Sequence, residues 1–231
     1  MGTGEYLTAG TLAVLLGFDR VAFLQSMVCR PLVAASLTGW LLGIPLAGLQ
    51  VGILLELLWL GRLPVGAAIP PDDTQVAIGA TVLTLTVQQQ FAVTGIPTVL
   101  LATLTALPLG LVGQYGERWV RRANGRLENL ALAAASAGDA RRIERLHLAG
   151  LLHFAVASLF SCTVIVGGGT LLLAVAGSPL LAAIQQAGAS LQLSFTLIGA
   201  AVLLGTLNVS RGYVWFGAAF GCTQLLLLVR G

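Results

Sequence analysis

Lysine is missing from this chain: all 12 of its basic residues other than histidine are arginine. Charge of either sign is scarce, with nine acids and 9% charged residues in total over 231 positions, against about 25% in ordinary soluble proteins. The scarcity excludes a conventional soluble domain, which needs a charged surface. Cysteine is also sparse. Cys29, Cys162 and Cys222 lie far apart, which excludes the short spacings of zinc sites and redox pairs and leaves them as small apolar packers. The two histidines, His147 and His153, have no neighbouring set of cysteine or carboxylate ligands. No metal or cofactor is expected. A basic signal-peptide start is lacking as well, because Met1-Gly2-Thr3-Gly4-Glu5-Tyr6 brings an acid first. The first apolar run is therefore expected to be retained.

What the chain has instead is oil. Hydrophobic residues make up 57% of it and the mean hydropathy is +0.92. Residues 74–116 contain no charged side chain, and neither do residues 146–210. Each run far exceeds the roughly 20 residues that cross a bilayer as a helix. These features predict an all-α, polytopic integral membrane protein.

The few charges are unevenly placed. Seven arginines (118, 121, 122, 126, 141, 142 and 145) and four acids (Glu117, Glu128, Asp139 and Glu144) crowd into residues 117–145, giving that segment the whole net charge of +3. The expected organisation is an N-terminal membrane block, 1–116, an Arg-rich polar linker, 117–146, and a C-terminal membrane block, 147–231. The positive-inside tendency puts the linker in the cytoplasm. Interleaved acids and few aromatics argue against nucleic-acid binding. A solvated, partly helical connection and a docking surface for a cytoplasmic partner both remain open.

Helix breakers concentrate in the first block, where six of the eight prolines lie between Pro31 and Pro97. Pro31 and Pro45 bracket 13 apolar residues, too few to span. Interrupted or re-entrant backbone is tolerated at membrane depth only inside protein or beside water, and transporters use it to bind substrate. Surface loops explain the same prolines. Gly43-Ile44-Pro45 recurs as Gly95-Ile96-Pro97, too short a match to establish a repeat. In the second block, residues 148–177 are expected to form one span, ending at Gly177-Ser178-Pro179. Residues 190–207 and 213–229 are expected to form two more. Gly167-Gly168-Gly169 lacks the lysine and the strand–helix context of a phosphate loop and suits close helix packing.

Glu56 stands out, with 25 uncharged residues before it and five after. A carboxylate deep in a membrane costs roughly 2.5 kcal/mol or more and persists where it lines a cavity or has a partner. Around it run Arg30-Pro31-Leu32-Val33-Ala34, then Gly52-Ile53-Leu54-Leu55-Glu56-Leu57-Leu58-Trp59-Leu60-Gly61, then Val65-Gly66-Ala67-Ala68-Ile69-Pro70-Pro71-Asp72. In order and spacing these three elements resemble the membrane-embedded enzyme IIC subunit of the bacterial phosphotransferase system, in its mannose/fructose/sorbose family. The resemblance is densest over residues 25–116 and runs more loosely to Arg211-Gly212-Tyr213. The chain departs from the family at Met27-Val28-Cys29, where Gln-Phe-His is usual, and at Gln88-Gln89, where a His-Gln pair is common.

The resemblance implies a non-catalytic sugar permease subunit in a bacterial inner membrane. It would share the translocation path with a IID membrane chain, while cytoplasmic IIA and IIB proteins carry the phosphoryl group to the sugar. Sugar hydroxyls both donate and accept hydrogen bonds, so acids and amides are the candidate ligands: Glu56, Asp72, Gln88, Gln89 and Asn208. Glu56 alternatively pairs with Arg30 or Arg62, and Asp72 or Asp73 alternatively caps a helix. Arg30, Arg62, Asp73 and Arg211 are the ion-pair or interface candidates. A secondary transporter or channel that moves a small polar substrate unmodified is the competing reading, because a lone carboxylate and broken helices also suit ion coupling.

Overall fold

The computed structural model describes residues 2–61, 69–206 and 211–230. Among them there are helices and no strand. In chain order they are α1 (Thr3–Val21), α2 (Pro31–Leu41), α3 (Pro45–Trp59), α4 (Asp73–Phe91), α5 (Ile96–Leu109), α6 (Gly113–Ser136), α7 (Ala140–Thr206) and α8 (Gly212–Arg230), with one 3-10 turn at Gly110–Val112 joining α5 to α6.

Three prolines of the first block start helices. Pro31 and Pro45 occupy the first turns of α2 and α3, and Pro97 that of α5, where a missing N–H costs nothing and the fixed φ fits. With 11 and 15 residues, α2 and α3 reach about 17 and 23 Å at 1.5 Å per residue, short of the roughly 30 Å hydrocarbon thickness. They fold into an antiparallel hairpin instead. At its crossing, a Cβ on Gly39 would lie 2.7 Å from the Gly48 Cα, and one on Gly52 3.0 Å from the Leu32 Cα. This is a hairpin of two short helices, held by glycines that let two backbones touch. Both Gly-Ile-Pro tripeptides serve one local purpose. Gly43 (φ +76°) and Gly95 (φ +95°) each turn the chain ahead of a proline-started helix.

α4 lies at the centre. Every residue from Thr74 to Leu85 is buried, so the helix meets protein on all sides, as its near-continuous apolar sequence requires. Two of its threonines return their hydroxyls to the helix's own backbone, Thr81 Oγ1 to Ala77 O and Thr84 Oγ1 to Ala80 O, both at 2.8 Å. That removes their polarity from the core.

α7 departs from the sequence expectation. Gly177-Ser178-Pro179 does not end it, and helical backbone runs through all 67 residues from Ala140 to Thr206. A straight helix of that length would measure about 100 Å, three times the membrane core, so the chain solves the problem by turning. Gly79 of α4 faces Ile165, Gly169 faces Leu83, and Gly177 faces Phe91 at the far end of α4. Over this stretch α7 therefore runs parallel to α4. Yet Gly199 packs on Leu57 and Gly61 on Val202, at the opposite level, where α3 ends beside the start of α4. Straight continuation would carry Gly199 about 33 Å beyond Gly177 in the wrong direction. The helix bends back between them, in the interval that holds Pro179, whose ring removes one hydrogen bond and weakens the helix there.

The Arg-rich segment is helical on both sides of a tight turn. α6 ends at Ser136, Gly138 takes φ +69°, and Asp139 Oδ1 accepts the Arg142 N–H at 3.0 Å to start α7. Residues 116 and 146, the expected block edges, fall inside α6 and α7.

Candidate functional site

The ends of five helices meet around a cavity of about 380 Å³ lined by both charged and apolar side chains, within the range of small-molecule pockets. The C-terminal ends of α1 and α3, the N-terminal ends of α2 and α4, and the first turns of α6 supply its walls. Charges at these ends meet their partners across helices rather than along the chain.

Arg20, at the end of α1, is the hub. Its Nη1 lies 3.1 Å from Asp72 Oδ1 and 3.9 Å from Glu117 Oε2, its Nε 3.3 Å from Asp73 Oδ1, and its Nη2 donates to Pro71 O at 3.2 Å. The side chain is only 9% exposed. A guanidinium presents five donors in a fixed fork, which is why one arginine can gather acids from α4 and α6. Asp72 also caps α4, its Oδ1 accepting the Gln75 N–H at 3.2 Å. Asp73 Oδ1 accepts the Thr74 N–H at 3.0 Å. Glu117 is shared with Arg121, whose Nη2 stands 2.6 Å from Glu117 Oε1.

The second unit is Arg30 with Glu56. Arg30 Nε donates to Glu56 Oε1 at 2.9 Å, Arg30 Nη2 contacts the same oxygen, and Glu56 Oε2 accepts the Leu32 N–H at 3.2 Å. Glu56 thereby ties the end of α3 to the open N–H groups at the start of α2, which the helix cannot satisfy itself. Thr74 Oγ1 donates to Cys29 O at 2.9 Å, fastening this unit to α4.

Between the two units lies the strained segment Ala22–Arg30. Leu24, Gln25 and Met27 have φ of +62°, +52° and +63°, a region costing non-glycine residues of order 1–3 kcal/mol each. Asp19 holds the loop: its carboxylate accepts the Ser26 N–H at 2.7 Å, the Ser26 hydroxyl at 2.6 Å and the Cys29 N–H at 2.9 Å. Strain of this kind concentrates at functional sites, and Gln25 and Met27 both line the cavity.

The lining carries three carboxylates, Asp19, Asp73 and Glu117, and three guanidiniums, those of Arg20, Arg30 and Arg121, beside the ring of Trp59. Asp72 and Glu56 stand on Arg20 and Arg30 just behind it, so five carboxylates share three guanidiniums. A surface so dense in donors and acceptors suits a ligand with many hydroxyls.

Of the residues singled out from sequence, Arg30, Glu56, Asp72 and Asp73 converge here. Glu56 is engaged by Arg30 and Leu32, and Asp72 by Arg20 and the start of α4. Gln88 and Gln89 lie elsewhere, half-buried and exposed near the other end of α4, about 24 Å from Asp72 along the helix axis. Arg211 is exposed ahead of α8 with φ +62°, its carbonyl accepting the Val214 N–H at 2.9 Å. Arg62 and Asn208 lie outside the described residues. Arg20, Asp19, Glu117, Arg121 and Trp59 were not anticipated. Asp19 and Arg20 carry the same signal as Glu56, being the only charges between Glu5 and Arg30. Gln75 was also missed. It is 1% exposed, donates Nε2 to Ala13 O at 2.8 Å, and leaves Oε1 without a partner.

A profile of the family described as "PTS system sorbose-specific iic component" matches residues 4–229, nearly the whole chain. The chain belongs to this IIC family of the phosphotransferase system. Among individual IIC relatives, the mannose-specific EIIC component of Escherichia coli (strain K12) is 32% identical over 122 residues, which make up 53% of this chain and 43% of that protein. The sorbose-specific EIIC component of Klebsiella pneumoniae is 33% identical over the same shares. The fructose permease IIC component of Bacillus subtilis (strain 168) is 32% identical over 127 residues, 55% of this chain and 44% of its own length. The chain thus aligns with less than half the length of each of these relatives. Two solved structures share the fold over 100% of this chain. One, titled "Structure of membrane protein", has a TM-score of 0.66 at 19% identity and is covered to 97%. The other, a cryoEM structure of the mannose transporter ManYZ with microcin E492, has a TM-score of 0.58 at 21% identity and is covered to 96%. The all-α membrane architecture of this IIC chain is therefore a shared one.

Proposed function

We propose that this IIC chain is the sugar-permease subunit of a phosphoenolpyruvate-dependent phosphotransferase system in a bacterial inner membrane. It forms the sugar path together with a IID-type membrane chain. Phosphoryl transfer to the sugar takes place on separate cytoplasmic IIA and IIB proteins, and this chain contributes binding and passage. The IIC family match supports the reading at the level of the system. The cavity at the helix ends supports it at the level of chemistry, and its density of acids and arginines is the observation that carries it. Asp19, Asp73, Glu117, Arg20, Arg30 and Arg121 line it, donors and acceptors suited to the hydroxyls of a polyol, with the largely buried Trp59 ring in its wall.

Asp73, like Glu117, belongs to the Arg20 cluster and lines the cavity; Glu117 is shared with Arg121, and Asp73 accepts from a sugar hydroxyl. Glu56 holds Arg30 in place. The charge-rich hairpin of α6 and the first turns of α7 faces the cytoplasm, where the phosphorylated partner arrives. An Asp73→Asn variant in the assembled system should raise the KM for sugar uptake on the order of tenfold or more, the worth of one charge-assisted hydrogen bond, with assembly unchanged. An unaltered KM would remove Asp73 from the site.

A further inference from the structure

We propose that the Tyr115–Arg122 face of α6 binds the phosphate headgroup of an anionic lipid. The placement follows from length. Ile96–Ser136 is a helical run of 41 residues, about 62 Å long at 1.5 Å per residue, so half of it must leave the membrane. Its uncharged part, residues 96–116, measures about 31 Å, close to the roughly 30 Å hydrocarbon core. The first charges, at Glu117 and Arg118, therefore emerge where the headgroups begin.

At that level, Tyr115, Arg118, Trp119 and Arg122 fall on one side of the helix by their i, i+3, i+4 and i+7 spacing. Tyr115 is 66% and Trp119 46% exposed, large aromatic surfaces of the kind enriched at membrane interfaces. Their settings are ordered. The Arg118 guanidinium carbon lies 5.5 Å from the centre of the Tyr115 ring, and Trp119 meets His153 of α7 edge-on at 5.2 Å. Arg121, one residue round the helix, is taken by Glu117. Arg118 and Arg122, by contrast, form no ion pair among the described residues. Two arginines free to bind, backed by two aromatic rings at headgroup depth, match a lipid phosphate in charge and position. The arginines near the hairpin tip, Arg141 and Arg142, stand far from that layer if the hairpin rises from the membrane, since Glu117 and Ser136 are about 29 Å apart along α6. They belong to the aqueous side.

The test is native mass spectrometry of the full chain released from nanodiscs of phosphatidylcholine containing graded phosphatidylglycerol. The wild type should retain phosphatidylglycerol in preference to phosphatidylcholine. Arg118→Gln with Arg122→Gln should weaken that retention roughly 30-fold, from the usual worth of two basic residues at an anionic surface. Replacing both by lysine should largely preserve it. Arg141→Gln with Arg142→Gln should leave it intact. Equal retention of the two lipids by the wild type, or undiminished phosphatidylglycerol binding in the glutamine pair, would overturn the proposal. Loss that follows Arg141 and Arg142 instead would also overturn it, and would place the lipid phosphate at the hairpin tip.

Discussion

Arg30 and Glu56 show how a charge survives in an apolar chain. Both side chains are about one-fifth exposed, so neither is fully desolvated and each removes most of the other's cost. Truncating one partner leaves its mate unsatisfied, which typically costs more than the pair's net worth. Glu56→Gln should therefore destabilise the protein by about 1.5–3 kcal/mol, the usual value of a hydrogen bond to a charged group. Arg30→Met combined with Glu56→Gln should cost less than the sum of the single changes, because no unpaired charge remains. Denaturation of the purified protein in detergent reads both. Additive losses would show that the two side chains act independently and that Glu56 is free for another task. At this scale the sequence was partly transparent. An isolated acid in an oily run announces a partner or a cavity, and Glu56, Asp72 and Asp73 all lie at or beside the site. The identity of the partner was not legible. Arg20 meets acids 52, 53 and 97 positions away, and only the folded chain brings Glu117 back from the Arg-rich segment to join them.

The α2–α3 hairpin is the element on which the site stands, since its open end presents Arg30 from the start of α2 and Trp59 from the end of α3. Its two backbones touch at Gly39 and Gly48. A Cβ on Gly48 would fall 2.5 Å from the Ala35 carbonyl oxygen and 2.7 Å from the Gly39 Cα. Backbone cannot step aside as a flexible side chain can. Gly48→Val should therefore separate the helices and cost at least the 1–3 kcal/mol typical of overpacking, seen as loss of monodisperse protein. The open surface position Gly125, with nothing within 4 Å of a Cβ, should accept alanine without such a loss. Stable, active Gly48→Val protein would refute the close crossing. Prolines and a piece too short to span made a break here readable from sequence, while leaving a surface loop as good an explanation as a packed hairpin. The course of α7 was not. Gly177-Ser178-Pro179 has the composition of a stop, but a bend inside continuous helix and a true end carry the same local signal. What separates them is packing of Gly177 on Phe91 and of Gly199 on Leu57, which no local pattern contains.

The whole molecule combines an apolar body with one charged hairpin, and the cavity sits where they join. Orientation follows from that asymmetry. Ser136, exposed at the end of α6, should be labelled in intact cells only by a membrane-permeant thiol reagent after Ser136→Cys in a background without native cysteines. Efficient labelling by an impermeant reagent would place the hairpin, and the cavity mouth with it, outside. As proposed above, this chain passes a sugar to phosphorylation and needs a second membrane chain to do so. The most direct measurement is formation of sugar phosphate from phosphoenolpyruvate by membrane vesicles holding this chain with or without its IID-type partner, IIA and IIB being supplied in both. Phosphorylated sugar should form inside the vesicles only when both membrane chains are present. Accumulation of unmodified sugar, or full phosphorylation by this chain without the partner, would contradict it.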